Sequence, residues 1–189
     1  GSMYILQPHN SPAFAGLAPQ GYLAVSGQAL IVPNGRSVRA RLDRKTGQLE
    51  YFHLAKHRRS GGDQVAVAGA TFFSGGTAFD LETGLLTTSV PGTRCPIIDA
   101  GVAYTGGKEV SAYDIAKPRT KTTKDRKGKT ETKFSLAREW SSSISCDLFL
   151  KAGPRLYGSH DRKIVAIDLP DGTQDARVAW KIPLEGVPA

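Results

Sequence analysis

Short apolar runs alternate along the chain with turn-forming residues, and the alternation recurs. Tyr22-Leu23-Ala24-Val25 precedes Ala29-Leu30-Ile31-Val32, Val65-Ala66-Val67 precedes Thr71-Phe72-Phe73, and Pro96-Ile97-Ile98 precedes Val102-Ala103-Tyr104. Gly27, Gly69 and Gly101 separate the partners, and Gly153 holds the same place farther on. A second turn follows each time, at Asn34-Gly35, Gly75-Gly76, Gly106-Gly107 and Ser159-His160-Asp161. Brief β-prone runs divided by Gly, Asn and Asp read as strands joined by hairpins, and no stretch sustains the 3.6-residue period of a helix.

Each copy then reaches an Asp. Asp80-Leu81-Glu82-Thr83-Gly84 is the clearest, and Asp43-Arg44-Lys45-Thr46-Gly47 stands 37 residues before it. Asp114 ends Ala112-Tyr113-Asp114, and Asp168 ends Ala166-Ile167-Asp168 ahead of Pro170-Asp171-Gly172. The Asp carboxylate accepts backbone N–H bonds and the Gly supplies a positive φ, so a third turn and a fourth strand are expected in every copy. Four antiparallel strands repeated every ~35–50 residues make one blade of a β-propeller. The expected fold is therefore all-β, with four four-stranded antiparallel blades at 21–55, 63–90, 94–140 and 145–183. Residues 1–20 are a lead-in carrying one strand of a preceding blade, and 184–189 are an exit segment.

Ala78-Phe79-Asp80-Leu81-Glu82-Thr83-Gly84 and Leu42-Asp43-Arg44-Lys45-Thr46-Gly47-Gln48-Leu49-Glu50-Tyr51 resemble the Ala-x-Asp-x-x-Thr-Gly-Lys-x-x-Trp motif of pyrroloquinoline-quinone-like propeller repeats, over about residues 21–183. In that family the closing Trp packs between neighbouring blades. Tyr51 holds its place in the first copy and Thr88 in the second, whereas Trp140 and Trp180 close the third and fourth after extra residues. The resemblance assigns Asp43, Thr46, Gly47, Tyr51, Asp80, Thr83, Gly84, Asp114, Trp140, Asp168, Gly172 and Trp180 to the structural blade motif. Because such repeats usually close at seven or eight blades, it also implies half of an eight-bladed ring, with a closed four-bladed ring as the alternative. The expected role is a non-catalytic scaffold for protein contacts within a larger bacterial protein, as in outer-membrane assembly factors, which by analogy places it in the periplasm or cell envelope. Its partners are then other proteins, the remaining blades of a parent chain, or a second copy in a homodimer.

Composition refines this picture in two places. No apolar run approaches the ~20 residues of a membrane-spanning helix. The net charge of +8 is concentrated: from Lys117 to Lys133 eight Lys or Arg face Asp125 and Glu131, which leaves only +2 for the rest. This basic insertion at 117–133 is expected to replace the hairpin turn after Asp114, with the fourth strand resuming at Phe134. Lys121, Lys124, Arg126, Lys127 and Lys129 are candidate contacts for a polyanion through counterion release. The segment lacks aromatic residues on which bases stack, so no sequence-specific nucleic-acid partner is expected.

Conventional active-site chemistry finds little support. His53 and His57 have the spacing of helical metal ligands but fall in a strand end and a loop, and His160 beside Asp161 is a turn residue. Gly101-Val102-Ala103-Tyr104-Thr105-Gly106-Gly107-Lys108 has a Gly too many for a phosphate loop, and Glu109 stands in place of its hydroxyl. Ser141-Ser142-Ser143 reads as a connector between blades, and Gly1-Ser2-Met3 as a protease-cleavage scar. Cys95 and Cys146 occupy near-equivalent places in consecutive blades and are expected to be free thiols. Quinoprotein dehydrogenases of this fold use adjacent cysteines and a calcium site of acid and amide groups. The two cysteines here are far apart in sequence and Asn10 and Asn34 are the only asparagines, so no cofactor is expected. A quinone-binding dehydrogenase-type propeller, or an accessory region of a methyltransferase-containing enzyme, is the alternative reading.

Overall fold

The structure, a computed structural model, describes residues 3–6, 12–15, 17, 19–34, 37–52, 62–90, 92, 95–124 and 130–184. Among them every regular element is a strand and none is a helix. The chain divides into two compact units, residues 1–89 and 90–189.

The first unit opens with β1 (Met3–Leu6) and β2 (Pro12–Ala15), which pair antiparallel as a sheet of their own rather than supplying one strand to a blade. The first four-stranded sheet follows in chain order: β3 (Ala24–Ser26), β4 (Ala29–Asn34), β5 (Ser37–Asp43) and β6 (Leu49–Phe52). The second repeats it with β7 (Ala66–Ala68), β8 (Thr71–Ser74), β9 (Thr77–Asp80) and β10 (Leu86–Ser89). These two sheets bury Ile31, Phe72 and Phe79 completely, with Tyr51, Val65, Val67 and Leu81 packed around them. The rings of Phe72 and Phe79 stack with centroids 5.0 Å apart. Each such side chain contributes about 1.5–3 kcal/mol through burial.

The second unit holds the third sheet, β11 (Ile97–Asp99), β12 (Val102–Thr105), β13 (Val110–Lys124) and β14 (Thr130–Ser142). The fourth is β15 (Asp147–Ala152), β16 (Arg155–His160), β17 (Lys163–Asp168) and β18 (Arg177–Pro183). Its core joins Tyr104, Val110 and Ala112 of the third sheet to Cys146, Leu156, Val165 and Ile167 at the fourth. A backbone bridge ties the two, Gly107 N–H donating to Cys146 O at 2.8 Å and Cys146 N–H to Gly107 O at 3.0 Å. The glycine run after Tyr104 thus works as a strand end and a joint between sheets. Tight turns are met where both central residues are left-handed: Asp161 and Arg162 have φ of 48° and 58°, the type I′ geometry whose twist matches that of the strands it joins.

The basic insertion differs from its expectation as a long turn. β13 runs on to Lys124 and β14 begins at Thr130, with Arg119 to Lys124 laddered against Ser135 to Thr130. Alternating threonines explain the extension, since β-branched residues suit a two-faced ribbon. The register slips between Asp114 and Arg119, and beyond that point the described pairs of β13 are with β14 alone. Ser141 and Ser142 likewise belong to β14, opposite Ser111 and Val110, and do not form a connector.

Candidate interaction surface

Residues directly opposite one another in antiparallel strands share one side of the sheet. In the first sheet Ala24, Ile31, Arg41 and Tyr51 form such a row. The equivalent rows are Ala66, Phe73, Ala78 and Thr88 in the second sheet, and Ile97, Tyr104, Ala112 and Trp140 in the third. In the fourth they are Leu150, Tyr157, Ala166 and Trp180. Tyr51, Thr88, Trp140 and Trp180 therefore stand at one structural position, opposite Arg41 or an alanine.

Where that row is covered within a unit, its chemistry is visible. Trp140 tilts against Tyr104, centroids 6.3 Å apart; Tyr104 shares a buried cluster with the fourth sheet's Leu156 and Ile167, and Trp140 and Val178 pack against that cluster. Lys151 of β15 adds an ion pair to Asp99 of β11 at 2.7 Å. In the first unit a polar clasp replaces the indole. Arg41 Nη1 donates to Leu81 O at 3.2 Å and meets the Glu82 carboxylate at 2.5 Å, while Glu50 holds its Nε at 2.5 Å. The Tyr51 hydroxyl donates to Leu81 O at 3.0 Å, and burial pushes its phenol well above the usual range. Arg39, fully buried, lies 4.2 Å over the Phe79 ring and reaches Ser74 O; burial pulls its guanidinium down to about 10. Nothing in the pattern around Arg39 marks it as a core residue except that it alternates in phase with Arg41.

The row of the fourth sheet has no such cover in its unit. Trp180 leans on Tyr157 at 6.0 Å, repeating the Tyr104–Trp140 pair, yet it is 36% exposed. Leu150 is 50% and Ile182 52% exposed, and Ile164 and Leu184 also face solvent. Phe149, Leu150, Tyr157, Ile164 and Leu184 line an apolar hollow of about 710 Å³. Contiguous exposed apolar area of this kind marks a site of association.

The acidic turn residues serve the sheets themselves. Asp43 Oδ1 accepts from the backbone N–H groups of Thr46 at 2.7 Å and Lys45 at 3.0 Å and from the Thr46 hydroxyl at 2.8 Å; the Thr46 N–H leads in holding the carboxyl below its ordinary range. Asp80 repeats this with Thr83 at 2.8 and 2.6 Å, and Gly47 and Gly84 take φ of 69° and 66° to close the turns. Asp114 accepts from Ala116 N–H at 2.8 Å. In the fourth sheet the clasp centres on Asp171, three residues beyond Asp168 and next to Gly172. The Thr173 hydroxyl and the N–H groups of Thr173 and Gln174 bring its carboxyl down to about 2. Asp168 instead pairs with Arg155 at 2.6 Å and Arg177 at 3.4 Å. The Thr two residues after Asp171 was the sequence signal for this shift.

Lys121 and Lys124 lie in β13, opposite Lys133 and Thr130, whereas Arg126, Lys127 and Lys129, and also His53 and His57, fall outside the described residues. His160 is exposed at the end of β16. Cys95 is half-buried and Cys146 is a buried free thiol. Burial, aided by the Asp147 carboxylate, raises the Cys146 thiol to about 11, which leaves it unreactive at neutral pH. Among the described residues no three His, Cys, Asp or Glu side chains gather as metal ligands, and no helix is long and apolar enough to cross a membrane.

No protein-family model matches the sequence, and no curated protein matches it. Among solved structures the chain is similar to BamB from Moraxella catarrhalis, at 12% identity and a TM-score of 0.51, over 92% of this chain and 54% of that one. It is also similar to the computationally designed Ika4 protein, at 15% identity and a TM-score of 0.45, over 90% of this chain and 99% of that one. The chain thus spans about half the length of BamB. Four four-stranded antiparallel meanders together with the BamB likeness define the class: this is a β-propeller fold, and its sheets are blades.

Proposed function

We propose that the chain is a propeller module of the pyrroloquinoline-quinone-like repeat type that acts as a protein-interaction scaffold, with the outer face of its fourth blade as the contact surface. One observation carries this reading. The Leu150, Tyr157, Ala166 and Trp180 row repeats the Ile97, Tyr104, Ala112 and Trp140 row, which is covered by a neighbouring sheet, yet its Leu150 and Trp180 stay exposed while Ala166 is buried. A surface with the composition of an inter-blade contact and no chemistry of its own is suited to hold a protein sheet. The basic ribbon of β13 and β14 offers a separate place for an acidic surface or polyanion.

Binding of an apolar naphthalene-sulfonate dye tests the surface. The dilute chain should enhance the dye's fluorescence, and the Leu150→Asp/Ile182→Asp pair should lower the enhancement while near-ultraviolet circular dichroism is kept. Equal dye binding by the variant would overturn the reading. Adding pyrroloquinoline quinone and calcium should leave the melting temperature unchanged; a rise of several degrees would favour a cofactor-binding propeller instead.

A further inference from the structure

We propose that the occupant of the fourth blade's open face is the first blade of a second copy of this chain. The inference rests on the scaffold reading above and names its partner. Within each unit the covering sheet presents one particular row. In the second blade it is Val67, Phe72, Phe79 and Leu86. In the fourth it is Lys151, Leu156, Ile167 and Val178. The same register in the first blade selects Val25, Leu30, Leu42 and Leu49, all apolar. That row is not closed off: Val25 is 50% and Leu49 40% exposed, and Leu30 and Leu42 are half-buried. The fourth blade therefore carries an open face of the covered kind and the first blade an open face of the covering kind.

Polar details of the two open faces match each other better than they match the pairs already made. At the joint between third and fourth blades Asp99 meets Lys151. The corresponding residues of the proposed joint are Ala152, opposite Arg155 in the fourth blade, and Val25, both without charge. At the joint between first and second blades Arg41 grips Leu81 O and the Glu82 carboxylate. One residue and two residues beyond its turn Asp, the first blade carries Arg44 and Lys45 where the second has Leu81 and Glu82. A face of the covered kind, the donor face of a joint, would meet like charge there if it bore an arginine at the Arg41 position. The fourth blade has Ala166 at that position, so its face fits the first blade where the first blade's own face would be repelled. Two such contacts related by a two-fold axis close a dimer, and one alone leaves both partners with an open face.

Light scattering with analytical ultracentrifugation of the whole chain, from about 1 to 100 μM, reads the association. The expected mass is twice the 20.2 kDa of one chain. Trp180→Asp should give monomers, as should Val25→Asp/Leu49→Asp, and Ile182→Asp serves as a second donor-face variant should Trp180→Asp fail to fold. Mixing the donor-face variant with the first-blade variant should restore a one-to-one complex, because one intact joint remains. A wild-type monomer throughout the range overturns the second copy as occupant. In that event dye binding that Leu150→Asp/Ile182→Asp lowers would still uphold the scaffold reading, so the two failures are distinct. A dimer that survives the first-blade variant also overturns the inference, since the fourth face would then be meeting some other surface.

Discussion

Trp180 rests against Tyr157 with ring centroids 6.0 Å apart, the relationship that Trp140 has to Tyr104 at 6.3 Å one blade earlier. The two indoles occupy the same register position, opposite Ala166 and Ala112. They differ in what lies over them: Trp140 is packed into the core that Leu156 and Ile167 complete, and Trp180 faces solvent.

The difference predicts unequal costs for one substitution. Trp140→Ala opens a gap between two sheets and should destabilise the second unit by about 2–4 kcal/mol. Trp180→Ala, measured where the chain is monomeric, should cost no more than about 1 kcal/mol, in the range of changes that leave no buried gap. Denaturant unfolding of both variants checks this, and equal losses would mean that Trp180 is covered.

Gly158 and Gly69 separate crowding from backbone conformation. A Cβ on Gly158 would fall 2.2 Å from Asp147 O and 2.6 Å from Cys146 Sγ. Gly158→Ala should therefore force β15 and β16 apart and cost about 1–3 kcal/mol. Gly69 has open space around it but a φ of 54°, so Gly69→Ala should cost about 1–2 kcal/mol through the left-handed conformation alone. Shortening the neighbour with Cys146→Ala should recover part of the Gly158→Ala loss and none of the Gly69→Ala loss, read from paired thermal melts.

Acid should unfasten the turn clasps. Asp171 is held at about 2 against an ordinary 3.8, and Asp43 is also lowered. A carboxylate depressed in the folded state stabilises it fully above the unfolded pKa and loses that contribution as pH falls through the folded value. The melting temperature should thus stay level from pH 7 to about 5 and drop between about 4 and 2. Asp171→Asn keeps an oxygen for Thr173 but cannot titrate, so its melting temperature should fall less steeply across the same window.

The β13–β14 ribbon should be dispensable for stability. Replacing residues 117–133 with a short Asn-Gly turn should shift the melting temperature by less than about 3 °C, because a two-stranded extension contributes little. Limited trypsin digestion of the intact chain should cut first within this segment. A large loss of stability on replacement would show the ribbon packed against another part of the protein.

The linear order of residues determined the blades. Apolar runs, the glycines between them and the Asp-x-x-Thr-Gly turns act over a few residues, so strand number, the meander and the first two clasps were readable without coordinates. The alignment that placed Tyr51, Thr88, Trp140 and Trp180 together followed from the same short-range repeat, and in the register they stand opposite Arg41, Ala78, Ala112 and Ala166. Tertiary structure decided matters that depend on what lies across a gap. It moved the fourth clasp from Asp168 to Asp171 by giving Asp168 two arginine partners, Arg155 and Arg177. It buried Arg39 against Phe79, turned Arg41 into a clasp on Glu82, and drew the threonines of the basic insertion into strands. It also left one tryptophan covered and its counterpart open. A sequence repeats the donor row in each blade, but whether another sheet lies over that row is a property of neighbours distant along the chain, and only the folded arrangement contains it.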